Sequence, residues 1–217
     1  MRFRTVLFDL DGTLIEHLPA IHRCYCYTLP KLGYPAPTYE QVKRAIGGGL
    51  PRAMAHFVPP ERVEEALAIY RPHWDETMLE GVELMPGAEA LLRALKARGV
   101  SCGVFTNKHG PSARKVCEHL GVAKLLDDVV GAGDTEWLKP EPKFAAWALE
   151  RIGADAATTC LVGDSPFDVQ AAARAGMGFV GVTTGTHDQA QLREAGAEVV
   201  LDGMPAILEL WGLAENV

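Results

Sequence analysis

From Met85 onward the chain alternates short apolar runs with amphipathic stretches, and nothing else in it limits the possible folds so strongly. The runs Ser101–Phe105, Asp128–Val130, Thr159–Val162, Gly178–Val182 and Glu198–Leu201 are short and rich in β-branched residues, as buried strands are. Helical spacing opens near Pro86, Pro111, Pro142, Pro166 and Asp188, and a last helix closes the chain. Proline suits the first helical turn, where its missing N–H removes no bond, and Gly99 suits a helix C-terminus. Repeated strand–helix units predict an α/β fold built on a doubly wound, parallel, Rossmann-like sheet. A further strand, about Thr5 to Asp9, opens the chain and belongs to the same sheet.

Between that strand and the alternating region the pattern is helical. Leu18, Ile21, Tyr25, Thr28 and Leu32 fall on one face of a helix, and Val63, Leu67, Tyr70, Trp74 and Met78 on one face of another. Gly47-Gly48-Gly49 marks a loop between them. The expected organisation is an α/β core of residues 1–15 and 82–217, with an all-helical domain inserted as residues 16–81.

The 217 residues carry a formal net charge of −7 with no basic block, which disfavours nucleic acid and anionic membranes as partners. No signal peptide pattern or membrane-length apolar run appears, so the expected location is cytoplasmic. The five cysteines include no CxxC pair and read as thiols rather than a zinc or disulfide framework.

In open α/β sheets the ligand crevice lies beyond the carboxyl ends of the strands. Asp9 and Asp11 stand two apart where the first strand opens at Gly12, so their side chains lean to the same side. Two carboxylates that close resist joint ionisation, so they share a proton or a cation. Thr106-Asn107 ends a second strand, Lys139-Pro140 lies in a loop after a third, and Gly163-Asp164-Ser165-Pro166-Phe167-Asp168 follows a fourth. A carboxylate nucleophile, a hydroxyl, an ammonium and further acids are the parts that phosphoryl transfer uses. Asp168, three residues after Ser165, also has the spacing of a helix capping box. Lys108 reads as a surface charge, and Asp134 and Glu136 as solvated loop acids.

These four motifs, in this order, resemble those of the haloacid dehalogenase-like hydrolases, in particular the phosphoglycolate phosphatase-like branch with a helical cap after the first strand. The resemblance implies an enzyme in which Asp9 attacks phosphorus to form an aspartyl-phosphate. Asp11 protonates the leaving alcohol, while Thr106 and the backbone amide of Asn107 bind the phosphoryl group and Lys139 neutralises charge. It implies Mg²⁺ held by Asp9, Asp11 through its carbonyl, and Asp164, with Asp168 ligating directly or through water. In the cap, Gly47 to Arg52 resembles the family's substrate loop, which makes Gly48 and Arg52 candidates for binding substrate, Arg52 by pairing with a carboxylate or second phosphate. Where relatives commonly carry Asp-Ser, this chain has Glu16-His17, and His17 is the histidine placed to reach substrate.

The implied activity is hydrolysis of a small phosphorylated metabolite, phosphoglycolate being the first candidate, by a monomer or homodimer. A sugar phosphomutase of the same branch is the nearest alternative. A phosphate-binding or receiver-like signalling module is the non-enzymatic one, although receivers are shorter and have no use for an inserted cap.

Overall fold

The computed structural model describes residues 3–214. Strand β1 (Thr5–Phe8) is followed by a short β2 (Ile15–Glu16), then by helices α1 (Leu18–Lys31), α2 (Tyr39–Ala45), α3 (Leu50–Met54) and α4 (Val63–Thr77), and by β3 (Glu83–Leu84). The alternating part comprises α5 (Ala88–Ala97), β4 (Ser101–His109), α6 (Gly110–His119), β5 (Asp128–Ala132), α7 (Pro142–Ile152), β6 (Thr159–Gly163) and α8 (Pro166–Ala175). It closes with β7 (Gly178–Val182), α9 (Gln189–Glu194), β8 (Val200–Leu201) and α10 (Met204–Leu210).

Six strands form one parallel sheet in the order β5-β4-β1-β6-β7-β8. The chain builds outward from β1 through β4 to β5, then returns to add β6 on the other side of β1. That reversal places the crevice at the carboxyl ends of β4, β1 and β6. The central strands are buried on both faces. Val6, Phe8, Val104 and Val162 pack with Leu91, Leu92 and Val116 on one side, while Leu7, Phe105 and Leu161 pack with Phe144 and Ala172 on the other.

The helical insert has an apolar core of its own, in which Ile21, Tyr25, Val42, Met54, Leu67 and Tyr70 meet. Its two connections to the sheet, β2 and β3, pair antiparallel, with Ile15 opposite Leu84 and Glu16 opposite Glu83. Two residues per strand carry too little periodicity to read from sequence, and the pairing is made only when distant segments meet. Strand β4 also runs four residues beyond the expected Phe105, so Thr106 and Asn107 lie within it. At the far edge the expected strand from Glu198 shortens to Val200–Leu201. Among the described residues no helix is long and apolar enough to cross a membrane.

Candidate active site

Asp9 lies one residue past β1, where its backbone N–H still donates to Val162 O of β6. Its carboxylate is joined from the loop before α7 by Lys139, which is 4% exposed. The Lys139 ammonium donates to Asp9 Oδ1 at 2.8 Å, Asp168 Oδ1 at 2.6 Å and the Phe105 carbonyl at 2.8 Å, which uses all three of its protons. Burial alone would lower the lysine's pKa, but Asp168 and Asp9 hold it above the usual value. Asn107 fixes the loop that carries Lys139. Its Oδ1 accepts from Lys139 N at 2.7 Å, and its Nδ2 donates to Lys139 O and, across to the insert, to Gly47 O. The Asn107 side chain is therefore taken up by backbone groups.

Asp164, just past β6, accepts hydrogen bonds at both oxygens. Thr13 Oγ1 donates to its Oδ1 at 3.1 Å, and Thr186 donates to its Oδ2 through both N (2.8 Å) and Oγ1 (3.0 Å). The carboxylate fits only because two glycines flank it. A Cβ on Gly185 would collide with the Asp164 side chain, and one on Gly12 (φ +81°) would lie 2.7 Å from Gly185 Cα. Asp168 caps α8, its Oδ2 accepting from Ser165 N at 3.1 Å and Ser165 Oγ at 2.6 Å, while its Oδ1 faces Lys139. The capping and site readings of Asp168 thus describe the same side chain.

Asp9, Asp164 and Asp168 each bring a carboxylate oxygen within 4.8 Å of the others, all three buried. Among the described residues, Lys139 is the one cation bonded to this trio. Burial, against the pull of Lys139, pushes the Asp9 carboxyl up to about 6. Burial and the charges of Asp9 and Asp168 push Asp164 up to about 7 despite the bonds from Thr186. Excess buried negative charge on an all-oxygen donor set is the environment a hard divalent cation stabilises. The residues present fit such an ion.

The Asp11 carboxylate points elsewhere. Lys108 Nζ donates to both of its oxygens at 3.0 and 2.9 Å, and His17 Nδ1 lies 3.2 Å from Oδ1. Burial would raise Asp11, but Lys108 and His17 outweigh it and hold the carboxyl below the ordinary carboxylate range. Lys108 is no surface charge, since its side chain is 6% exposed and its ammonium sits 4.6 Å over the Trp74 ring. The extra length of β4 explains this: Thr106 and Lys108 are two apart in a strand and share a side. His17 does not stand open to substrate either. It is 1% exposed, packs 4.9 Å from Trp74, and its Nε2 lies 2.6 Å from Met78 O at the end of the insert. Both ring nitrogens thus face oxygens, an arrangement that only an imidazolium satisfies as donor. Burial and Lys108 draw its pKa down, against Asp11 and Met78.

Asp134 also departs from expectation. Arg114 donates to it bidentately, both bonds at 2.9 Å, and Gly131 N donates to its Oδ2.

A cavity of about 640 Å³ spans the space between sheet and insert. Asp9, Asp11, Thr106, Lys108 and Asp164 line its floor, and residues of α1, α3 and α4 its roof. Gly47, Gly49, Leu50 and Pro51 are in the lining, whereas Gly48 and Arg52 are not. Gly48 is buried under Arg52 and Phe167, and the exposed Arg52 sets its guanidinium 5.2 Å over the Phe167 ring.

Residues 6–182 match the family model described as haloacid dehalogenase-like hydrolase. The chain belongs to that family. It is 33% identical over 223 residues to a phosphoglycolate phosphatase of Rhodospirillum rubrum, covering 98% of this chain and 92% of the relative. It is 35% identical over 203 residues to the probable phosphatase IndB of Dickeya dadantii, covering 91% and 88%. A haloacid dehalogenase-like hydrolase of Streptococcus pneumoniae shares the fold with a TM-score of 0.88 at 23% identity, over 97% of this chain and 99% of that one. The chain is a phosphatase of the phosphoglycolate phosphatase-like branch.

Proposed function

We propose that this phosphatase is Mg²⁺-dependent and hydrolyses phosphate monoesters through an aspartyl-phosphate on Asp9. The observation that carries the reading is the pairing at the cavity floor. Asp9 is held by a buried lysine, and Asp11, two residues on, is held separately by Lys108 and His17. Environments that drive two neighbouring carboxyls apart assign them different tasks. A carboxylate oxygen of Asp9 bonds to phosphorus as the ester P–O bond breaks, and Asp11 delivers a proton to the departing alkoxide. Water then attacks phosphorus, Asp11 takes its proton, and the Asp9–phosphorus bond breaks to release phosphate.

Asp11 starts ionised under Lys108. An entering phosphate competes for that ammonium, which loosens its hold on Asp11 and lets the carboxyl rise to a value at which it carries the proton. Thr106, which lowers Asp9 by a hydrogen bond and lines the same cavity, would bind the phosphoryl group. Asp9 and Asp164, with the Asp11 carbonyl and a contribution from Asp168, would hold Mg²⁺, which supplies charge neutralisation to the phosphoryl group when bound. Residues 16–81 act as the cap. Their paired connections, β2 and β3, form a two-strand hinge over which the helices close on the crevice and exclude water.

The test is phosphate release from a panel of monophosphates. Activity should require Mg²⁺, vanish with chelator, and be absent from an Asp9→Asn protein that melts like the parent. Turnover by folded Asp9→Asn, or full activity in excess chelator, refutes the mechanism.

A further inference from the structure

We infer that the leaving alcohol of the substrate carries an uncharged flat ring, a class of ester larger than phosphoglycolate; this rests on the phosphatase reading above. The first ground is size. The cavity of about 640 Å³ reaches from Asp9 and Asp11 up to the insert. It falls within the ~300–1,000 Å³ that encloses a drug-sized ligand. Phosphoglycolate has roughly nine heavy atoms, and at the ~30 Å³ a water molecule takes in the liquid it fills less than about half of that space.

The second ground is the character of the wall above the phosphate floor. Tyr70 and Trp74, one turn apart on α4, stack with centroids 5.9 Å apart and planes at 21°. Ile21, Ile46, Leu50 and Leu138 add aliphatic surface to the same lining. The faces of Tyr70 and Trp74 are largely taken up by each other, by Tyr25, and by His17 and Lys108. What they present to the cavity with Tyr25 is ring edge, which beside aliphatic side chains gives edge-to-face and dispersion contacts to a flat ring.

The third ground is the placement of cations. A carboxylate-bearing alcohol needs a positive partner in this lining. The basic residues in the cavity lining are Lys108, Arg71 and His109. Lys108 is bound to Asp11, while Arg71 and His109 are exposed. Arg52, the guanidinium that the sequence offers for this task, lies over Phe167 outside the lining. A glycolate carboxylate in this cavity would gain at most a solvent-screened pair with an exposed cation, whereas a neutral ring gains apolar burial.

The comparison to make is kcat/KM of the full chain with Mg²⁺ on benzyl phosphate, ethyl phosphate and phosphoglycolate. All three have alkoxide leaving groups, so differences report recognition rather than leaving ability. Benzyl phosphate should exceed both others by roughly thirty-fold, the factor that burying a ring's apolar surface supplies. Benzylphosphonate should inhibit more tightly than methylphosphonate by a similar factor. Tyr70→Leu, which keeps apolar bulk but removes the ring, should narrow the benzyl-to-ethyl ratio at least five-fold or so, on the scale of one aromatic contact. Phosphoglycolate equal to or better than benzyl phosphate, or equal inhibition by the two phosphonates, overturns the ring assignment and leaves the phosphatase reading intact. No hydrolysis of any monoester in Mg²⁺ overturns the phosphatase reading itself. The inhibition measurement uses the parent protein, so the assignment stays testable even where Tyr70→Leu fails to fold.

Discussion

Replacing Lys139 with methionine keeps the length of the side chain and removes the ammonium bonded to the buried carboxylates. Its Nζ is 2.8 Å from Asp9 and 2.6 Å from Asp168. At an effective dielectric of about 20, a pair at that separation attracts by ~6 kcal/mol. Most of that attraction offsets the desolvation of the ions, and breaking a buried pair costs about 3–5 kcal/mol net, because uncompensated charge is left behind. In a chain of this size a melting temperature shifts ~2–4 °C per kcal/mol, so the metal-free variant should melt roughly 10 °C lower at pH 7.5. The deficit has a direction in pH. Asp9 and Asp164 already have carboxyls raised to about 6 and about 7, and losing Lys139 raises them further. A carboxyl raised in the folded state contributes stability that is present below its unfolded value of ~3.9 and lost as pH rises through the folded value. The deficit should therefore be largest near pH 8 and shrink toward pH 5. Adding Asp168→Asn removes one of the orphaned charges, and should recover about half of the lost stability while turnover stays at least ~1,000-fold down, as expected when nucleophile positioning is lost. The measurements are thermal melts in chelator across pH 5–8 and steady-state phosphate release in Mg²⁺. Unchanged melting of Lys139→Met at pH 8, or additive losses in the double variant, would refute the account of this cluster.

Two further outcomes follow from other parts of the structure. Asp11→Asn should slow esters of alkyl alcohols by ~10²–10⁴, the usual worth of a general acid, and p-nitrophenyl phosphate by much less, because its phenolate departs without a proton; equal losses would assign Asp11 to the metal or the fold instead. Asp134, held below its usual value by Arg114 and Gly131 N against the effect of burial, stabilises the fold above the unfolded carboxyl value of ~3.9 and loses that contribution as pH falls through its lowered one. Asp134→Asn should therefore cost ~1 kcal/mol at pH 7, a value kept small because the pair is partly exposed, and the difference from the parent should close below about pH 3 in thermal or urea melts.

How much of the site was legible depended on whether a residue's role follows from its own neighbours in sequence. Asp9, Thr106 and Asp164 sit at or near strand ends that apolar runs announce, and the ends of parallel strands converge on one crevice. Lys139 follows no strand so closely, and its bond to Asp9 is made only when the loop before α7 folds back onto the sheet. The place of Lys108 is hidden from the sequence because the apolar run of β4 stops at Phe105. Its polar continuation Thr106-Asn107-Lys108-His109 has no apolar alternation, and what keeps it extended is pairing with β5, where His109 stands opposite Ala132. The surroundings of His17 and Arg52 are hidden from the sequence for a related reason. Whether a basic side chain faces a cavity or an aromatic ring is decided by Trp74 and Phe167, which lie 57 and 115 positions away in the chain. Thr186 left no signal at all, since a threonine in a surface loop has the same sequence signature whether or not it bonds a buried aspartate.

The sequence alone determined the α/β class, the helical insertion and the identities of the carboxylates and the lysine. Each of these is a local matter: hydrophobic period, turn residues and chemical type are properties of short segments. Tertiary structure decided which carboxylate shares Lys139 and which shares Lys108, how the two connections pair into a hinge, and what surrounds the leaving group. Those depend on distance and dielectric between groups far apart in the chain, and neither quantity exists until the sheet and the helical insert have closed around the same cavity.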